Sequence, residues 1–506
     1  MVRAAGVRRA PWGRAVGVVE TVLTAALLLP GCTGKAHPGS VRYDGGAGKV
    51  PVTAASEEAY HAYLRGRDLQ EKLRGTDARE HFRLALELDP DLAMAHLALA
   101  ETAPDGTAFY DSLERAEAQV DRLSAGERET ILGFAAGVRG DPETQRSHYE
   151  TLVRLYPKDE RSHSLLASHF FERRELESAI EHYERAVELA PDFSQPYNQL
   201  GYAYRFLGKW DRAETAFKRY VELIPEEPNP YDSYAEMLMK MGRFDESIEV
   251  YRKALSFDPE FVPSYIGVGN NQILKGDTAA ALDTFDRLHT VARTDGERRT
   301  ARLWTALAYL HAGDRVGALR TLQDRYEIAA SGGDHVSMAD DLLLLADVQL
   351  EAGETDAARA TLERSEAFER EAGLPEDVVG RQRLRRLYLA TGIAIAEGDL
   401  ERAQALVGEF QGLEADGGGI DGGGRSAELL ARIALAEERY PDAMRRLEQG
   451  DKRDPRVLYL LSVACRRAGE LDRARELALQ VANYNAIHVN LAHVRPRALA
   501  ALAERG

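Results

Sequence analysis

The stretch YNQLGYAYRFLGKWDRAETAFKRYVELIP, Tyr197 to Pro225, decides the fold, because its features recur along the chain. Prolines stand at Pro157, Pro191, Pro225 and Pro259, each thirty-four residues after the last. Aromatics keep the same step at Tyr149, Tyr183, Phe217, Tyr251 and Phe285. Small residues keep it at Gly133, Ala167, Gly201, Ala235 and Gly269, and again at Ala179, Ala213, Ser247 and Ala281. Self-similarity at one fixed period of this size identifies a stacked repeat, whose units bury their apolar surface only against their neighbours.

Each unit splits into two helices. In Ser194–Glu227, Tyr197, Leu200, Gly201 and Tyr204 fall at i, i+3, i+4 and i+7, one face of a first helix. Gly208 breaks the run. Ala213, Phe217 and Tyr220 share a face of the second helix, and Pro225 ends it. Gly201 and Ala213 let the helices approach, and Phe217 fills the space between units.

This pattern resembles the tetratricopeptide repeat family, whose units carry large–Leu–Gly–Tyr in the first helix and Ala–Phe–Ala–Pro in the second. The resemblance implies an all-α, right-handed superhelical solenoid of helix-turn-helix hairpins. The match is closest over residues 126–295, in the units Gly126–Asp159, Glu160–Phe193, Ser194–Glu227, Pro228–Phe261 and Val262–Asp295. Residues 56–125 read as degenerate N-terminal units and residues 296–481 as divergent hairpins. In the latter, turns such as HAGDRVGAL, EAGETDAAR and RAGELDRAR precede a small residue at Ala318, Ala358 and Ala474. Eleven or twelve units are expected in all, closed by a C-terminal capping helix over residues 482–506.

The N-terminus has a different character. Arginines precede or flank a short apolar run, Val22 to Leu29, too short to span a bilayer as a helix, followed by Pro30, Gly31 and Cys32. Residues 1–31 resemble a bacterial lipoprotein signal with Cys32 as the lipidated residue; Pro30 and Glu20 depart from that pattern. The expectation is an exported protein held to the cell envelope by lipid on Cys32. Thr33, in place of the Asp linked to inner-membrane retention, points to the periplasmic face of the outer membrane in a host with two membranes. An alternative keeps the chain cytoplasmic, its first residues lying outside the true start. Residues 32–55, rich in Gly, Pro and Ala, are expected to form a flexible tether. Only two cysteines occur, so with Cys32 acylated, Cys465 has no disulfide partner and reads as a small core residue.

The formal charge of −17 excludes general nucleic-acid binding, which needs Lys and Arg to neutralise phosphate. Removing the leader would take away four arginines and one glutamate, leaving the remainder more acidic. No His-Glu-x-x-His pair and no Gly-x-Ser-x-Gly elbow occurs, so no catalytic residue, metal site or cofactor is assigned. The Gly-rich stretch DGGGIDGGGRS reads as a solvated loop, and RQRLRRL as the polar face of a helix.

Function is therefore expected on a surface. The resemblance implies that first helices line a concave groove, which places Asn198, Tyr202, Arg205, Phe206, Asp232, Glu236 and Asn270 on it as partner-binding candidates. Aromatic residues and Arg are favoured anchors. The carboxylate-clamp members of the family use Lys where this chain has Ile266, and Asp232 and Glu236 would repel a terminal carboxylate. The expected role is a non-enzymatic scaffold or adapter for a protein or peptide; the alternative is a lipoprotein that captures a glycan or peptide.

Overall fold

The structure, a computed structural model, describes residues 41–43, 45–103, 105–415 and 425–504. The leader, Cys32 and the core of the Gly-rich loop lie outside these residues. The described chain is all-α apart from one short hairpin, β1 (Val41–Tyr43) and β2 (Val52–Ala54).

Twelve helical hairpins follow in sequence. The first three are α1 (Glu57–Glu71) with α2 (Gly75–Leu88), α3 (Ala93–Glu101) with α4 (Gly106–Glu117), and α5 (Ala125–Val138) with α6 (Pro142–Leu155). Next come α7 (Glu160–Glu172) with α8 (Leu176–Leu189), α9 (Ser194–Phe206) with α10 (Trp210–Leu223), and α11 (Pro228–Lys240) with α12 (Phe244–Phe257). Then α13 (Val262–Lys275) pairs with α14 (Thr278–Val291), α15 (Asp295–His311) with α16 (Arg315–Ser331), and α17 (His335–Glu351) with α18 (Thr355–Ala372). The last three are α19 (Glu376–Ala396) with α20 (Leu400–Ala415), α21 (Arg425–Ala436) with α22 (Tyr440–Glu448), and α23 (Pro455–Ala468) with α24 (Leu471–Ala482). A single helix, α25 (Val489–Ala503), ends the chain. Odd-numbered helices pack on one another as an inner layer, and even-numbered ones form the outer layer.

The repeat signature is a packing device. A Cβ on Gly201 would stand 2.6 Å from the Phe217 ring, which is fully buried. Gly133 meets Tyr149 and Gly269 meets Phe285 in the same way. Turns between paired helices need a left-handed residue, and Gly140, Gly208, Gly242 and Gly276 supply it. Arg174 takes that position with φ 63°, at the same thirty-four-residue step.

A second periodic device was not legible as such. Tyr197, expected on an apolar face, directs its hydroxyl to the Pro191 carbonyl at 3.3 Å. Tyr231 and Tyr265 donate to the Pro225 and Pro259 carbonyls, and ring nitrogens of His96 and His163 lie 2.9 and 3.1 Å from those of Pro90 and Pro157. A polar ring six residues beyond the proline thus ties each turn to the next inner helix.

Two expectations need correction. The described part of the supposed tether is docked, not loose: Val52 is 4% exposed and Ala54 is fully buried. Glu127, itself fully buried, accepts from Thr53 N (2.6 Å) and Oγ (2.8 Å) and from Ser124 N (3.0 Å) and Oγ (2.7 Å). Nor does α25 merely cap the last hairpin. It turns back along α15 and α23, and its Leu491, Val494 and Ala498 join one core with Met239, Ile273, Leu307 and Leu345. The Cys465 reading matches its place, a free thiol fully buried in α23.

Candidate functional site: the inner groove

The groove follows from the arrangement of inner helices, and its middle carries most of the sequence candidates. Arg205 and Tyr202, one turn apart on α9, meet Glu236 of α11. The Arg205 Nη1 donates to Glu236 at 2.7 Å, and the Tyr202 hydroxyl lies 3.2 Å from both Ser233 Oγ and Glu236. The Arg205 guanidinium covers the Tyr202 ring at 4.9 Å and the Phe206 ring at 5.1 Å. Phe206 remains 45% exposed beside Phe171, with Arg174 over it at 4.6 Å. These four candidates form one polar-aromatic patch.

The other three stand around it. Asp232 accepts from Ser264 Oγ at 2.7 Å. Burial, opposed by that hydrogen bond and reinforced by the Glu236 charge, pushes its carboxyl up to about 6. Asn198 and Asn270 each keep a buried Oδ1 that accepts no hydrogen bond, and Asn270 is only 6% exposed.

On the N-terminal side of this patch lie two adjoining cavities of about 180 and 560 Å³ that share Glu101 and Leu165. Tyr63, Met94, Leu97 and Phe134 give them apolar walls. The β1–β2 hairpin closes one side. Val50 N donates to Asp159 Oδ2 at 3.2 Å, and Lys49 pairs with Glu160. Across the opening Arg161 of α7 grips Glu71 of α1 at 2.7 and 2.9 Å.

On the C-terminal side the groove is filled by α25 and the segment before it. Asn485 donates to the Lys240 carbonyl (3.2 Å), Arg495 to that of Leu274 (3.2 Å) and Arg497 to that of Glu351 (3.0 Å). Lys240 is the last residue of α11 and Glu351 the last of α17, and Leu274 is next to last in α13, so donors meet the unsatisfied carbonyl ends of inner helices. The Arg497 guanidinium also pairs with the Glu351 carboxylate at 2.8 Å, and His493 lies 3.4 Å from Asp347. Burial alone would raise Asp347, but Arg456, His493 and Arg432 outweigh it and hold the carboxyl well below the usual range. Beside α25 a third cavity, about 430 Å³, is lined by Arg456, Tyr388 and Glu428. There Arg456 donates to the Tyr388 hydroxyl at 2.9 Å, and that hydroxyl donates to Glu428 at 2.6 Å. Sequence reasoning did not assign this second network. Its only local traces are the i, i+4 carboxylates Asp347 and Glu351 and the arginines inside an apolar C-terminal run.

The fold and groove define a solenoid of helical hairpins that offers a concave polypeptide-facing surface. Residues 194–227, 229–261 and 428–486, and the shorter spans 300–324 and 342–364, match the family described as tetratricopeptide repeat. Residues 167–208 match a model described as TPR repeat. The chain is a tetratricopeptide repeat protein. No curated protein matches it. Among solved structures it is similar to the MamA protein, at 22% identity over 32% of this chain and 89% of that one, with a TM-score of 0.30. It is similar to YrrB, titled a TPR protein with an unusual peptide-binding site, at 18% identity over 36% and 91%, TM-score 0.28. A tetratricopeptide repeat protein from Parabacteroides merdae is 16% identical over 54% and 94%, TM-score 0.33.

Proposed function

We propose that this chain is a non-enzymatic scaffold that binds a protein or peptide in its inner groove. One observation carries the reading: the groove already holds polypeptide, the β1–β2 hairpin at one end and α25 at the other. Between them the Tyr202–Arg205–Phe206 patch and the two cavities remain open. A buried aromatic and Arg cluster with a partly exposed ring has the make-up of a binding anchor. Site-specific photo-crosslinking tests this. A photoreactive residue replacing Gln195 or Phe206 is expected to trap a partner that one replacing Arg185, on the outer layer, does not. Equal trapping from both layers removes the groove from the account.

The same reading places the scaffold at a bacterial envelope through lipid on Cys32. The support is the sequence pattern around Gly31 and Cys32. Radiolabelled palmitate should enter the wild-type chain and not Cys32→Ala; equal labelling refutes the anchor. Among the described residues no helix is long and apolar enough to cross a membrane.

A further inference from the structure

At both ends of the groove most contacts run in one sense: the wall accepts hydrogen bonds and the occupant donates them. At the hairpin end, Lys49 meets Glu160, Val50 N meets Asp159, Thr53 meets Glu127 and Ala55 N meets Asp89. At the other end, Asn485, Arg495 and Arg497 donate to carbonyls at the ends of inner helices, and Asn490 donates to Asp454 at 2.7 Å. The opposite sense occurs at Ser124, whose Oγ donates to the Pro51 carbonyl, and at Arg466 of α23, which donates to the Ala501 carbonyl and the Glu504 carboxylate, both at 3.0 Å. The α25 occupant adds a second element, since its Leu491, Val494 and Ala498 are buried between those polar contacts.

The open stretch between the two occupants also presents a carboxylate-rich wall. Its two cavities are lined by five carboxylates and three guanidinium groups. Three of those carboxylates are already used: Glu71 by Arg161, Glu127 by Thr53 and Ser124, and Asp159 by Val50 N and Ser162. Among the described residues Glu101 accepts from the neutral Gln70 at 2.8 Å, and burial raises the Glu172 carboxyl with no cation opposing it. Further along the inner layer, on α11 and α13, Asp232 accepts from Ser264, and the buried Oδ1 of Asn270 accepts no hydrogen bond. Of the cations, Arg161 and Arg67 face Glu71, Arg205 is committed to Glu236, and Arg173 lines the second cavity.

We infer that this open stretch docks a segment of a partner protein that carries arginine or lysine on an otherwise apolar run, with Glu101 and Glu172 receiving its cations. The inference rests on the groove reading above and narrows it to one chemical class. Five carboxylates against three guanidinium groups, with apolar pockets between them, match a cationic, apolar segment better than an anionic one.

The test uses the full chain and two acetylated, amidated fluorescent peptides of alternating Leu and Ala with four Arg in one and four Glu in the other. Fluorescence anisotropy at about 0.1 M salt, where surface charges are screened beyond about 10 Å, reads their affinities. The Arg peptide is expected to bind at least about tenfold tighter than the Glu peptide, and Glu101→Gln with Glu172→Gln to weaken it about tenfold, each factor equal to about 1.4 kcal/mol. The outer pair Glu181→Gln with Glu188→Gln removes the same charge and should leave binding unchanged. Equal loss from inner and outer pairs would reveal non-specific attraction and overturn the inference. Tighter binding of the Glu peptide would overturn the charge class while the groove reading stood, and binding of neither peptide would overturn it too.

Discussion

Single residues carry the clearest link between sequence pattern and stability. Gly201 was legible from spacing alone, because a small residue and an aromatic kept step over several units. The structure supplies the reason, a Phe217 ring where a Cβ would stand. Gly201→Ala must displace a fully buried ring, so we expect a loss of about 1–3 kcal/mol, the usual cost of overpacking. A thermal melt or urea titration reads it, and unchanged stability would contradict the packing account. Asp232 was legible only as a groove residue, since burial of a carboxylate without a cation leaves no periodic trace. Its folded carboxyl is raised to about 6 by burial. Between about 4 and 6 the folded chain keeps a proton that the unfolded chain has released, so stability falls as pH rises through that window. Asp232→Asn should abolish this slope and raise stability at pH 7 by about 1–2 kcal/mol, the shift being discounted for partial exposure. Melting midpoints from pH 4 to 7.5 for both proteins decide it.

Elements follow from the same local rules, and where those rules are weak the reading of the sequence fell short. The helical hairpins were legible because each has an apolar stripe, a turn residue and a stop. Turn residues with positive φ are glycine in most units, but Glu438 takes φ 59° in the α21–α22 turn. A left-handed non-glycine residue costs about 1–2 kcal/mol, part of which glycine returns as unfolded-chain entropy. Glu438→Gly should therefore stabilise the chain by up to about 1 kcal/mol, seen as slower amide exchange across residues 425–448. Faster exchange there would show that the Glu438 backbone is not strained. The β1–β2 hairpin was misread as a tether because three-residue strands around a Gly-rich turn give almost no periodic signal. What fixes it is a contact seventy-four residues away in sequence, the Glu127 carboxylate that gathers four donors. No local reading of residues 32–55 contains that partner.

At the scale of the whole molecule the decisive contact is the return of α25 to the groove. It joins Arg495 to Leu274 across 221 residues and Asn485 to Lys240 across 245, separations that repeat spacing cannot foresee. The joint carries a titratable weak point. His311 ends α15 and faces α25, with a buried Nε2 that makes no hydrogen bond. Burial first, then the charges of Arg495, His493 and His488, drives its pKa down to about 3. Released from this contact, the ring takes a proton below about 6.5. The released state thus binds the extra proton between about 6.5 and 3, so docking is fully favoured above about 6.5 and weakens as pH falls. Each pH unit costs about 1.4 kcal/mol, or about 2 kcal/mol at pH 5. Hydrogen exchange of residues 489–503, corrected for intrinsic rates, should lose about thirtyfold of its protection between pH 7 and pH 5. The Asp232 slope runs the other way with pH, so a global melt mixes the two, whereas exchange confined to α25 isolates this one. His311→Gln, which cannot gain a proton, should remove most of this loss, leaving the smaller share of His488 at the start of α25, whose pKa burial also lowers. If wild-type α25 stays equally protected at pH 5, the charge on His311 does not govern closure of the groove.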